Sequence, residues 1–236
     1  MKFYDRCKKS RKPEDEKKLI EEYVKAKEAG DDALKKLLID SDAITNNGSE
    51  YFNPGRGHKN NRYIGPCFKK DGSEQPMENE KRICKCLFVK SLGQKETDCS
   101  GCIFCSEERR KYVKGNYSVE DYEVPVCADG FSKSNIDLLL KDKTSETLYA
   151  TEVKPPENNS ESILRMVAEI ITYLFVLKKT HPELDYQPAI AFFEDSKQDN
   201  KFKESSSELK ELIKAEGITV FYFRKDTEET WAIEKL

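Results

Sequence analysis

Two stretches late in the chain, "QPAIAFFE" (187–194) and "ITVFYFRK" (218–225), are apolar without alternation. Strands covered on both faces read this way, because neither set of side chains meets water. Between them, "SSSELKELIKAEG" (205–217) reads as a helix ending at a glycine. Upstream lies a long apolar helix, "SESILRMVAEIITYLFVLKK" (160–179), closed by His181-Pro182. His181 there suits capping of the last helical carbonyls. Three further strands precede it: "YEVPVCADGF" (122–131), "NIDLLLK" (135–141) and "LYATEVKP" (148–155). The order β-β-β-α-β-α-β predicts an α/β fold, a mixed central β-sheet with helices on each side.

The front of the chain has another texture. Leu19, Ile20, Tyr23, Val24 and Ala26 fall at helical spacing until Gly30 breaks the run. Ala33, Leu34, Leu37 and Leu38 repeat the pattern in a second short helix. Glu14 to Glu16 suit the positive end of the first helix dipole. Residues 45–82 are rich in Asn, Gly and Pro and read as irregular loop. The predicted organisation is therefore N-terminal helices (1–44), an irregular, basic, cysteine-rich module (45–118) and an α/β domain (119–236).

Composition narrows the setting. The 236 residues are 36% charged and 37% hydrophobic, and no apolar run approaches the ~18 residues that span a bilayer. The first residues lack the apolar stretch of a secretory signal. These features predict a cytoplasmic protein without a membrane partner. The net charge of −3 conceals an asymmetry. Residues 1–118 hold 26 Lys and Arg against 20 Asp and Glu, and residues 119–236 hold 15 against 24. A basic front half suits a polyanion and an acidic back half a cation.

Eight cysteines in such a chain point to metal or redox chemistry rather than disulfides. Cys84 and Cys86 form a C-x-C. Cys99, Cys102 and Cys105 form overlapping C-x-x-C units around the tight turn Ser100-Gly101. Zinc takes four thiolates at this spacing. An iron–sulfur cluster is the alternative, since C-x₂-C-x₂-C also opens ferredoxin-type runs. Plain buried thiols are the third reading, and core packing is the default for the isolated Cys7, Cys67 and Cys127. Residues 45–118 have few large apolar side chains, so a bound ion would supply folding energy there. In the same module Arg56, Lys59, Arg62, Lys69 and Lys70 interleave with Tyr63 and Phe68, a composition suited to phosphate contact and base stacking and equally to a plain solvated loop.

Charge inside the predicted hairpin reads either as the solvated face of an ordinary half-exposed hairpin or as a site. If "DKTSET" makes the turn, Lys141 sits opposite Leu148, and Asp137 then falls opposite Glu152 on one face. Lys154 shares that face, and Val153 points the other way. Two close carboxylates repel unless a cation intervenes. Hard oxygen ligands with room for water suit Mg²⁺ or Mn²⁺, and a nearby lysine can orient a water or steady phosphoryl charge.

Asp137, fourteen intervening residues, then Glu152-x-Lys154, on strand-turn-strand followed by a helix and a strand, resembles the PD-(D/E)xK nuclease superfamily. Ile136 stands where the eponymous proline would be. The resemblance covers roughly 119–225 and implies a restriction endonuclease-like fold that hydrolyses phosphodiester bonds with Mg²⁺. Asp137 and Glu152 would hold the metal, with the Val153 carbonyl assisting, and Lys154 would position the attacking water. Glu169-x-x-x-Tyr173, with Arg165 one turn earlier, is similar to the Gln-x-x-x-Tyr element of the recombination helicase-nuclease branch, with Glu for Gln. A plain Arg165–Glu169 ion pair is the competing reading. Some relatives use an upstream histidine, a position open to His58. Many restriction-type relatives act as dimers, so a homodimer is an assembly the resemblance allows. The expectation is a Mg²⁺-dependent nuclease acting on DNA. Its rival is a non-catalytic adaptor that uses a zinc module to bind nucleic acid or protein on a nuclease-like scaffold.

Overall fold

The computed structural model describes residues 3–8, 12–39, 80, 83–84, 87–88, 113–126, 135–156, 161–227 and 230–236. Helices α1 (Phe3–Cys7), α2 (Pro13–Glu28) and α3 (Asp31–Leu38) come first. Strands β1 (Val113–Lys114), β2 (Tyr117–Pro125), β3 (Asn135–Asp142) and β4 (Leu148–Val153) follow. Then come α4 (Ile163–Thr180), β5 (Tyr186–Phe193), α5 (Lys197–Lys203), α6 (Ser207–Ala215), β6 (Thr219–Thr227) and β7 (Thr230–Lys235).

The strands form one seven-stranded sheet in the order β1-β7-β6-β5-β4-β3-β2. The central strands β4, β5 and β6 run parallel, joined through α4 and then through α5 and α6. Antiparallel pairs flank them, β2–β3 and β3–β4 on one side and β6–β7 on the other. This is the mixed sheet that the unalternating strands 187–194 and 218–225 predict. They are central, and Ala189 to Phe193 are at most 1% exposed.

Alternation sorts the core into two layers. Ile190, Phe192, Val220 and Tyr222 point into a cluster with Leu164, Val167 and Ile170 of α4 and Leu209, Leu212 and Ile213 of α6. Phe3, Tyr4, Cys7, Ile20, Tyr23 and Leu38 belong to the same cluster, so the N-terminal helices pack on the helical layer. Each fully buried aliphatic or aromatic side chain contributes about 1.5–3 kcal/mol, which far exceeds the ion pairs between the same elements. Lys27–Glu216 (2.7 Å) and Arg6–Glu22 (2.8 Å) are partly solvated and worth about 1 kcal/mol or less each. On the opposite face, Ala189, Ala191, Phe193, Phe221 and Phe223 meet Leu138, Leu140 and Val153. Among the described residues, helical Ile83, Cys84, Leu87 and Phe88 cover that face.

Local chemistry places the boundaries. Ser162, Ser196 and Ser206 each accept the backbone N–H three residues on, starting α4, α5 and α6. Gly30 sits at φ +102 between α2 and α3, a conformation that a side chain would strain. The β3–β4 turn is held by Asp142 Oδ1, which accepts the Thr144 N–H at 2.8 Å, and by the Lys141–Glu146 ion pair.

Candidate active site

Leu139 and Ala150 pair across β3 and β4, and both enter the helical layer. Asp137 and Glu152 lie two residues further along each strand, so they face the same way. The observed pairs run from Lys141↔Leu148 to Leu138↔Thr151. Continued by one residue, that register sets Asp137 opposite Glu152. Lys154 follows β4 on the same face. All three side chains are buried, at 3–4% exposure.

Asp137 Oδ2 accepts the Val153 backbone N–H at 2.8 Å. Lys154 Nζ donates to Glu152 Oε1 at 2.5 Å and to Glu80 Oε2 at 2.8 Å. Glu80, Asp137 and Glu152 each present a carboxylate oxygen, and these oxygens lie within 4.8 Å of one another. Around α4, Glu161 Oε2 lies 3.5 Å and Glu169 Oε2 4.0 Å from the same ammonium. Arg165 Nη2 donates to Glu169 Oε1 at 2.8 Å, and its Nε lies 3.5 Å from Glu161 Oε1. The Arg165 guanidinium also lies over the Tyr4 ring at 5.7 Å, and Tyr4 meets Tyr173 edge-on. Tyr173 is thus a buried neighbour, one turn beyond Glu169.

The electrostatics follow from crowding. Burial raises the Asp137 carboxyl well above its ordinary value, and Glu80 adds to the effect while Lys154 opposes it. Burial and then Asp137 raise Glu152 in the same way. Glu80 is raised by burial against the pull of Lys154. For Lys154, burial disfavours the charged form, yet Glu152, Glu80, Asp137 and Glu169 together outweigh it and the ammonium is held well above its usual range.

Among the described residues, five carboxylates gather around Lys154 and Arg165, with Lys8 Nζ a further 4.0 Å contact of Glu161 Oε1, so negative charge is in excess there. Glu161 Oε2 and Glu169 Oε2 are buried without a hydrogen-bond donor among the described residues. An all-oxygen donor set with surplus charge and unmet acceptors fits a hard divalent ion such as Mg²⁺ or Mn²⁺.

The sequence reading did not single out Glu80 or Glu161. Glu80, Ile83, Cys84, Leu87 and Phe88 follow the spacing i, i+3, i+4, i+7, i+8, one face of a helix. That periodicity was available but lies inside the stretch that the cysteines dominate. Cys84 is 0% exposed and packs with Ile83, Leu87 and Phe88; burial pushes its thiol well above the ordinary range. Cys86, Cys99, Cys102 and Cys105 lie outside the described residues, as do His58 and the basic loop residues Arg56, Lys59, Arg62, Tyr63, Lys69 and Lys70.

A mixed sheet whose second antiparallel hairpin carries Asp-Glu-x-Lys onto one buried centre defines the restriction endonuclease-like class of the PD-(D/E)xK superfamily. Residues 107–222 match the family model described as type II restriction endonuclease, HinfI, so the chain carries a nuclease-type domain of that family. The matched stretch holds Asp137, Glu152, Lys154, Glu161 and Glu169, whereas Glu80 and every cysteine but Cys127 precede it. No curated protein and no solved structure matches the chain. Among the described residues, no helix is long and apolar enough to cross a membrane.

Proposed function

We propose that this chain is a divalent-metal-dependent endonuclease that hydrolyses phosphodiester bonds in DNA. One observation carries the reading. Asp137, Glu152 and Lys154 converge on one buried acidic centre, within a stretch that matches a restriction endonuclease family.

Asp137 and Glu152 would hold the ion, and Glu80 is within reach of the same position. When bound, the ion supplies Lewis-acid stabilisation of charge on the phosphate oxygens. The chain's own residues do the positioning. Val153 N–H fixes the Asp137 carboxylate. Lys154 stays protonated among the acids, so it donates hydrogen bonds and serves to orient a water for in-line attack rather than to take its proton. Arg165 holds Glu169, which faces Lys154 from the helix side.

The test is cleavage of supercoiled plasmid with Mg²⁺ or Mn²⁺. Cutting is expected for the wild-type chain. It should be absent in Glu152→Gln and Lys154→Ala variants that keep the wild-type circular dichroism. Wild-type-like cutting by those variants would refute the site.

The cysteines keep a separate role in this reading. Five thiols precede the domain in the C-x-C and C-x-x-C runs, and zinc needs four. The burial of Cys84 among apolar side chains supports Cys86, Cys99, Cys102 and Cys105 as the zinc ligands. Elemental analysis tests this, with one zinc per chain expected and iron or no metal arguing against it.

A further inference from the structure

We infer that Glu80 is a metal-responsive latch on Lys154: loading of a divalent ion draws Glu80 off the ammonium, and Lys154 then turns to Glu161 and Glu169. This inference rests on the metal centre proposed above and adds a mechanism by which that centre is switched on.

Three observations lead to it. First, Glu80 has two competing calls on one carboxylate. It accepts from Lys154 Nζ at 2.8 Å and lies within 4.8 Å of both Asp137 and Glu152 through its oxygens. Second, Glu80 is the most exposed of the three acids. Its side chain is 32% exposed, against 4% for Glu152, while its backbone is anchored by Ile83, Cys84 and Leu87, each at most 1% exposed. The carboxylate can therefore rotate without the helix moving. Third, acceptors already wait for Lys154. Glu161 Oε2 and Glu169 Oε2 are buried, lack donors among the described residues, and lie 3.5 and 4.0 Å from Nζ. Leaving a buried acceptor unmet is costly, so a small shift of the ammonium toward α4 is favoured once Glu80 lets go.

Without metal, Lys154 is occupied by Glu80 and Glu152 and is poorly placed to orient a water. With metal, the same side chain is freed from Glu80 and steadied by the two helix-side acids.

Two readouts on the full chain test this without relying on cleavage. Calorimetric titration with Mn²⁺ should show affinity at least about tenfold weaker in Glu80→Gln, as for loss of a metal-site partner. In ¹⁵N-lysine spectra, Mg²⁺ should move the Lys154 ammonium resonance in the wild-type chain. In Glu80→Gln that resonance should start closer to its metal-loaded position. Equal Mn²⁺ affinity in Glu80→Gln, with binding lost in Glu152→Gln, overturns the latch and leaves the metal centre standing. A Lys154 resonance that stays put while Mg²⁺ binds also overturns it. A wild-type chain that binds no Mn²⁺ overturns both. If Glu80→Gln unfolds, Glu80→Asp keeps the charge but shortens the reach, and it should show the same weakened binding.

Discussion

Asp137 Oδ2 accepts the backbone N–H of Val153 at 2.8 Å across the β3–β4 hairpin. This bond sits where the ladder leaves off at Leu138↔Thr151. A side-chain carboxylate does there the work of a backbone acceptor, and it fixes one candidate metal ligand by the strand that bears the other. Asparagine keeps an acceptor oxygen and removes the charge. Asp137→Asn should therefore fold, lose Mn²⁺ binding and cleave plasmid at least about a hundredfold more slowly, while the metal-free melting temperature holds or rises. Relief of about 1 kcal/mol of carboxylate repulsion corresponds to a rise of about 2–4 °C for a chain of this size. A large fall in melting temperature would show that the charge, rather than the acceptor, holds the hairpin.

Lys154 is the shared cation of Glu80, Glu152, Glu161 and Glu169. Removing it leaves buried carboxylates without a partner, which typically costs about 3–5 kcal/mol. Lys154→Ala should lose about that much in urea unfolding at neutral pH and less at mildly acidic pH, where the acids take up protons. Mg²⁺ should restore part of the loss. A penalty independent of pH would contradict the charge-balance account.

The raised carboxyls set a pH dependence with a definite sign. Asp137 and Glu152 bind protons more tightly folded than unfolded. Their protonation therefore adds stability at pH below the ordinary carboxylate value of about 4, and that stability is lost as pH rises through the raised folded values. In EDTA, the melting temperature should decline as pH rises from about 5, and Glu152→Gln should flatten the slope. Metal binding must displace those protons, so Mn²⁺ affinity should climb with pH. Thermal melts and calorimetry across that range check both.

Cys84 separates packing from ligation. Cys84→Ser buries a hydroxyl beside Ile83, Leu87 and Phe88 and should cost about 1–3 kcal/mol of stability while leaving the zinc content unchanged. Cys99→Ser should lose zinc. Loss of zinc in Cys84→Ser would return Cys84 to the ligand set.

Much of the nuclease-type domain was legible from local pattern. The strands at 187–194 and 218–225 were recognisable because burial on both faces removes alternation, and both proved central. Taking "DKTSET" as the turn set Lys141 opposite Leu148, and the structure shows that pair. Other elements carried little signal. The α5 helix, "KQDNKFK", is polar and rests on the Ser196 cap and on buried Phe202 rather than on periodicity. Strand β7, "TWAIEK", is too short to outweigh its charges and lies between β1 and β6 in the sheet. The N-terminal helices were visible as helices, but their docking through Phe3, Tyr4 and Tyr23 onto the α4 layer was not.

The amino-acid order alone determined the trio Asp137, Glu152 and Lys154, because a short hairpin converts spacing into contact once its turn sets the register. Tertiary structure decided the rest of the centre. Glu80 reaches Lys154 from 74 residues away, Glu161 approaches it from just ahead of α4, and Glu169 from within α4. Nothing in local periodicity encodes such meetings. They arise because burying Ile83, Cys84 and Leu87 on one face of the sheet, and α4 on the other, leaves the adjoining carboxylates only one place to go.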